Sequence, residues 1–152
     1  MAAMTLSMQD VGLAVKRLQW RHHSAANRRL RVQVGLSLAQ WDVLRDLRRE
    51  PEASLHDLAV QTFQTDQSMG ELAKRMVDRG LLSRVSGPGR AVRHRLTDEG
   101  EAAYKAGSDI VDDILANSIG ILTVGEQASL HAMLTKAASG LRCSEAAPPE
   151  HI

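Results

Sequence analysis

Between residues 81 and 96 the chain changes period. "LLSRV" and "AVRHRL" alternate apolar and polar side chains as strands do. The intervening "SGPGR" holds Gly87, Pro88 and Gly89, which continue neither a helix nor a regular ladder. A hairpin is expected there. Elsewhere the apolar residues recur at three- and four-residue spacing, so the fold must place one short two-stranded ribbon among helices.

The helices can be bounded from their ends. Val11, Ala14, Val15, Leu18, His22, Ala25 and Ala26 form one stripe on a long first helix, from about Ser7 to about Arg31. Ser37 with Gln40 makes a capping box for a second helix, carrying Trp41, Leu44 and Leu47 and ending before Pro51. Ser54 with Asp57 opens a short third helix. After a turn near Phe63 and Gln64, Thr65 caps a fourth helix that runs to Arg79 and stops at Gly80. Thr97 caps a fifth helix, Thr123 with Glu126 a sixth, and the tail from Ser144 looks frayed.

The order is therefore helix, helix, helix-turn-helix, hairpin, helix, helix. The expected class is mainly α (α+β), a winged helix-turn-helix with flanking N- and C-terminal dimerisation helices. A length of 152 residues suits one structural domain overall. Within it, residues 1–35 would be a dimerisation helix, 36–96 the DNA-binding lobe, 97–143 the helices completing the dimerisation region, and 144–152 a flexible tail. The first helix and the last carry more apolar stripe than one such core needs, and a twofold pair of chains is the commonest way to bury it.

Charge narrows the function. The net charge is +1, but residues 1–50 hold nine Lys/Arg against four Asp/Glu, and residues 101–152 hold three against seven. From Lys74 to Arg95 there are seven cations and one acid, Asp78. Such a patch on a nearly neutral chain suits a localised anionic partner, nucleic acid first, with a solvated charged face as the ordinary alternative. No apolar run reaches the roughly 18 residues of a membrane span, and "MAAMTLSMQD" lacks the features of a secretory signal, so a soluble cytoplasmic protein with no membrane partner is expected.

With Met69, Leu72, Ala73 and Met76 turned inward, Gln67, Gly70, Glu71, Lys74 and Asp78 point outward from the fourth helix, flanked by Ser68 and Arg75. In a helix-turn-helix the N-terminal half of this helix meets base edges. Gln67, Ser68 and Glu71 are then candidate readers and Lys74 and Arg75 candidate phosphate contacts, with the capping Thr65 a further candidate DNA-binding residue. The alternative for Glu71 is a simple ion pair with Lys74 or Arg75 one turn on. Gly70 disfavours a helix interior and would suit close approach of a backbone there, with simple drift as the equal alternative. On the ribbon, Arg93 and Arg95 share one face of the returning strand, expected to meet phosphate alongside Arg84, while Val92, His94 and Leu96 share the other. Arg90 lies at the tip.

From Leu36 to Gly140 the chain resembles the MarR (multiple antibiotic resistance regulator) family of winged-helix transcription regulators. The resemblance is carried by "LSLAQWDVL", "SLHDLA", "LAKRMVDRGLLSR", "GRAVRHRLTDEG" and "LTVGEQASLHAMLTKAASGL", in that order. It implies a homodimer that binds a pseudo-palindromic double-stranded DNA operator, usually represses transcription, and is released by a small apolar or aromatic effector. It also implies a wing arginine in the minor groove, at Arg90. Family wings commonly steady that arginine with an aspartate, where this chain has Pro88, and the loop between Arg84 and Ala91 is about two residues short of the family pattern.

For an effector, His22 interrupts the apolar stripe of the first helix, with Trp20 and His23 beside it and Trp41 on the next helix, so Trp20, His22 and Trp41 are candidate ligand-binding residues. A hydrogen-bonded interface histidine is the plainer alternative. His22 and His23 are adjacent, hence on different faces, with no carboxylate or Cys one turn away, which argues against a metal site. The single Cys143, beside Arg142, is a candidate redox-sensitive thiol. No nucleophile-and-base signature and no glycine-rich phosphate loop is present, so neither catalysis nor a cofactor is expected. The competing class is a winged-helix protein-interaction module without specific operator binding, suggested by the acids of the fourth helix and the altered wing.

Overall fold

The computed structural model describes residues 5–86, 89 and 92–141. The chain forms two compact units, Met1–Ile114 and Leu115–Ile152. The first contains α1 (Met8–Gln33), α2 (Leu38–Arg49), α3 (Leu55–Gln61), α4 (Asp66–Asp78), β1 (Leu82–Ser86), β2 (Val92–Leu96) and all but the end of α5 (Asp98–Ala116). The second contains a 3-10 turn at Ile119–Ile121 and α6 (Val124–Ser139). The fold is a winged helix-turn-helix, as the sequence order implied.

The helix starts follow from side chains that satisfy otherwise free backbone N–H groups. Ser37 accepts from the N–H of Gln40 while the Gln40 side chain accepts from that of Ser37, and Ser54 with Asp57 and Thr123 with Glu126 repeat the arrangement. Ser7 with Asp10 does the same for α1. Thr65 caps α4 through the N–H of Ser68. Gly80, with φ of 74°, ends it in a conformation that a side chain resists.

Thr97 does two jobs: its hydroxyl donates to the Gly80 carbonyl and accepts from the Gly100 N–H, tying the start of α5 to the end of α4. Gly100 sits so close to Leu81 that a Cβ there would run into the Leu81 carbonyl. The corner between α4, the wing and α5 is thus fixed by backbone contact.

The core of this unit joins Ala26 and Leu30 of α1, Leu36 of the α1–α2 turn, Trp41, Val43, Leu44 and Leu47 of α2, Leu58 and Ala59 of α3, Met69, Leu72 and Met76 of α4, Leu81 and Leu82, and Ile110 of α5. Only the C-terminal third of α1 takes part. Val11, Leu13, Val15 and Leu18, earlier along the same helix, are 37–49% exposed. α6 has no buried residue, and Ile121, Val124, Met133, Leu134 and Leu141 of the second unit are all exposed. The excess of apolar surface expected at both ends of the sequence is therefore present. Among the described residues no helix is long and apolar enough to cross a membrane.

Candidate nucleic-acid interface

α4 is split lengthwise by burial. Met69, Leu72, Ala73 and Met76 are buried, whereas Thr65, Gln67, Ser68, Glu71, Lys74, Arg75 and Asp78 are exposed. The i, i+3, i+4, i+7 spacing of the buried set fixes this orientation. Glu71 makes no ion pair with Lys74 or Arg75 among the described residues, so the simple intrahelical pairing expected as its alternative does not form. Thr65 has its hydroxyl engaged, accepting from the Ser68 N–H at 3.1 Å and donating to the Ser68 Oγ at 3.0 Å. A Cβ on Gly70 would meet nothing within 4 Å, so the fold itself does not require glycine there.

At the head of this face the acid Asp66 is partly offset. His56 of α3 reaches it, Nδ1 lying 2.9 Å from Oδ1, and this hydrogen bond, then the attraction of the Asp66 carboxylate, raises the imidazole above its ordinary pKa.

The wing corrects one expectation. β1 and β2 pair antiparallel with Ser83 opposite Arg95, Arg84 opposite His94 and Val85 opposite Arg93. Directly opposed residues share a face, so Arg84 lies with His94, and Arg93 and Arg95 lie on the other side with Ser83 and Val85. Arg84 cannot act alongside Arg93 and Arg95. Alternation within β2 was legible, but the face of β1 depends on register, and a short hairpin loop leaves register open.

The two faces differ electrostatically. Arg84 is exposed and makes no ion pair among the described residues. Beneath it His94 is buried, and burial followed by the Arg84 charge pushes its imidazole below the usual histidine range. On the opposite face Arg95 reaches Glu52 at 3.9 Å. Arg93 is half-buried and near Asp57, whose carboxylate is held below its ordinary range by the Ser54 backbone N–H, the Ser54 hydroxyl and, more weakly, Arg93. These two cations sit among acids. Arg90, Pro88 and Ala91 of the wing tip, and Cys143, lie outside the described residues.

Arg79, one of the seven clustered cations, turns out to be structural. Its guanidinium donates to the Gly35 carbonyl at 2.8 Å and to Gln40 Oε1 at 3.2 Å, binding the end of α4 to the α1–α2 turn. It borders a cleft of about 420 Å³ together with Arg31, Leu36, Gln40, Leu72 and Arg75. Three guanidiniums around one opening suit a carboxylate or phosphate group. Arg31 was not a sequence-based candidate. It lies 44 residues before Arg75, and only the fold joins them.

The effector candidates do not converge. Trp41 is 6% exposed, stacked on Tyr104 at 6.0 Å and 7°, with Arg45 over its ring at 5.3 Å and its indole N–H donating to the Tyr104 carbonyl. It is a core residue, which corrects the expectation that it faces a ligand cleft. Trp20 is exposed and stacked against His23, and His22 is half-buried. Neither borders the Arg31–Arg75 cleft, the cleft at Asp46 and Gln61, or that at His94 and Glu101. Among the described residues no cluster of three His, Cys, Asp or Glu could hold a metal ion.

A helix-turn-helix of α3 and an outward-facing α4, followed by a two-stranded wing, defines a winged-helix protein. Residues 34–91 match the model of the MarR family. The PcaV transcriptional regulator from Streptomyces coelicolor, solved with its natural ligand, is 26% identical over 91% of this chain and 98% of its own, with a TM-score of 0.70. The MarR family protein Rv2887 from Mycobacterium tuberculosis, solved with p-aminosalicylic acid, is 25% identical over 84% and 97%, with a TM-score of 0.68, and has also been solved with DNA. A MarR family regulator from Rhodococcus sp. RHA1 is 20% identical over 90% and 98% and superposes with a TM-score of 0.77, a likeness of fold. Comparison with curated proteins finds no match.

Proposed function

We propose that this protein is a homodimeric, sequence-specific DNA-binding transcription regulator that represses from a pseudo-palindromic operator and is released by a small-molecule effector. The observation that carries the reading is the outward side of α4. Gln67, Ser68, Glu71, Lys74 and Arg75 are exposed together on a lobe that matches the MarR family model, and one member of that family, Rv2887, has been solved with DNA. Gln67 and Ser68 supply donors and acceptors for base edges, Glu71 accepts from cytosine N4, and Lys74 and Arg75 neutralise phosphates. The Thr65 hydroxyl orients Ser68 from the helix cap. Arg84 and Arg90 are the wing cations that meet the duplex, and Arg93 and Arg95, held near Asp57 and Glu52, play a weaker part.

The homodimer rests on the exposed apolar residues of α1 and of the second unit. The division into a dimerisation helix at 1–35, a DNA-binding lobe at 36–96 and a second dimerisation segment at 97–143 belongs to the same proposal, as does a cytoplasmic location. The effector reading is supported by the p-aminosalicylic acid and natural-ligand complexes of the two relatives, with Trp20 and His22 as the candidate contacts on this chain.

Two measurements test the proposal. Sedimentation should give twice the chain mass, falling to one chain when Val15→Glu places a charge in the α1 stripe. Footprinting on a duplex enriched from random sequence should give two protected segments about 34 Å apart. A single protected segment or a sequence-independent footprint would leave only the protein-interaction module.

A further inference from the structure

The turn that delivers α4 contains a residue its backbone disfavours. Phe63 has φ of 57° and is the one residue other than glycine in the left-handed region among those described. A bulky side chain resists this conformation, which the turn of a helix-turn-helix ordinarily gives to glycine. Its ring finds no compensation within the fold. Phe63 is 97% exposed, and Val60, one turn back on α3, is 61% exposed. The turn is nonetheless well determined. The Phe63 N–H donates to the Val60 carbonyl at 3.3 Å and the Gln64 N–H to the Ala59 carbonyl at 2.8 Å, so the left-handed backbone is part of the helix ending. Strain and solvent exposure therefore coincide on one side chain, and glycine would remove both.

We infer that Phe63 is a specificity-determining DNA contact, its ring packing on a thymine methyl at the edge of the groove that α4 enters. The inference rests on the DNA-binding reading above. Phe63 lies two residues before Thr65, the cap of α4, and like Thr65, Gln67 and Ser68 it is exposed at the head of that helix. On that surface every other candidate reader is polar. A large apolar ring has one apolar feature to recognise on the major-groove edges, the C5 methyl of thymine. From Val60 to Asp66 the chain carries no Lys or Arg, which separates this role from phosphate contact.

The test uses the full-length protein and a duplex enriched by the wild type from a random library, together with copies in which each thymine is replaced in turn by uracil, which lacks only the methyl. One replacement per half-site should weaken wild-type binding about fivefold, the scale of one buried methyl. Phe63→Gly should fold with an unfolding midpoint no lower than wild type, bind the parent duplex as weakly as wild type binds a copy carrying the replacement in both half-sites, and lose all response to that replacement. Phe63→Leu should restore part of the discrimination. If Phe63→Gly binds with wild-type affinity, or retains the uracil response, the inference is overturned while the DNA-binding reading stands. Failure of the wild type to enrich any sequence overturns both.

Discussion

Gly107→Ala sets two effects of opposite sign against each other. Glycine in the interior of a helix such as α5 is about 1 kcal/mol less favourable than alanine, so propensity alone makes the substitution stabilising. Packing says otherwise. A Cβ at residue 107 would stand 2.9 Å from the indole nitrogen of Trp41 and 3.1 Å from a terminal methyl of Leu30, against ordinary contacts of about 3.5–4 Å. Trp41 is held in place, because Tyr104 stacks on it, Arg45 packs against its ring and its N–H is bonded to the Tyr104 carbonyl. Overpacking of a rigid group falls at the upper end of the usual range, about 3 kcal/mol. The net expectation is a loss of about 2 kcal/mol, or roughly 6 °C in the unfolding midpoint of a chain this size. Calorimetry or denaturant unfolding of the variant reads this directly, and combining it with Trp41→Phe, which shortens the clamped ring system, should recover part of the loss. A variant as stable as wild type, or more so, would refute the seating of Trp41 against Gly107.

Gly70→Ala should do the reverse of Gly107→Ala in the free protein, raising stability by about 1 kcal/mol because its Cβ meets open space, yet weaken DNA binding if a duplex closes on that face. Thermal unfolding and titration of the same preparation separate the two effects. Proton NMR titration should find His56 titrating above 6.5 and His94 below it, and Asp66→Asn should bring His56 back toward 6.5. Their linkage has opposite sign. The His56 contribution is complete below the unfolded value of about 6.5 and fades as pH rises through its higher folded value, whereas His94 disfavours folding increasingly as pH falls from about 6.5 through its lower folded value. Arg84→Ala should lower the salt slope of DNA binding by about one and Arg95→Ala by less, because Glu52 already partners Arg95; equal slopes would contradict the register-based division of the wing. Arg79→Ala should cost about 1 kcal/mol of stability, read by denaturant unfolding, since its bonds to Gly35 and Gln40 are internal.

Local chemistry was legible in the sequence where the sequence itself supplies both partners. Ser37 with Gln40, Ser54 with Asp57 and Thr123 with Glu126 are three residues apart, so each cap could be read without knowing the fold, and each is present. The inward side of α4 was equally readable, because 100° per residue relates its apolar positions to one another. What failed depends on partners distant in sequence. Trp41 looks like a cleft aromatic until Gly107, 66 residues later, is seen to open a seat for it. Arg79 counts as a free cation until the fold brings Gly35 and Gln40 to it. Arg84 changes face with the register of a hairpin whose loop composition does not set that register. The turn at Phe63 was expected from its position between two helices, but its left-handed backbone was not, because phenylalanine carries no signal for one.

The central claim is that α4 and the wing read a DNA sequence, and the most direct measurement is the ratio of affinities for an enriched duplex and for the same bases in shuffled order at physiological salt. The account predicts a ratio of at least about a thousand, falling tenfold or more for Gln67→Ala, whose side chain meets bases, and far less for Lys74→Ala, whose side chain meets phosphate and weakens both duplexes alike. Equal affinity of the wild type for the two duplexes would contradict it.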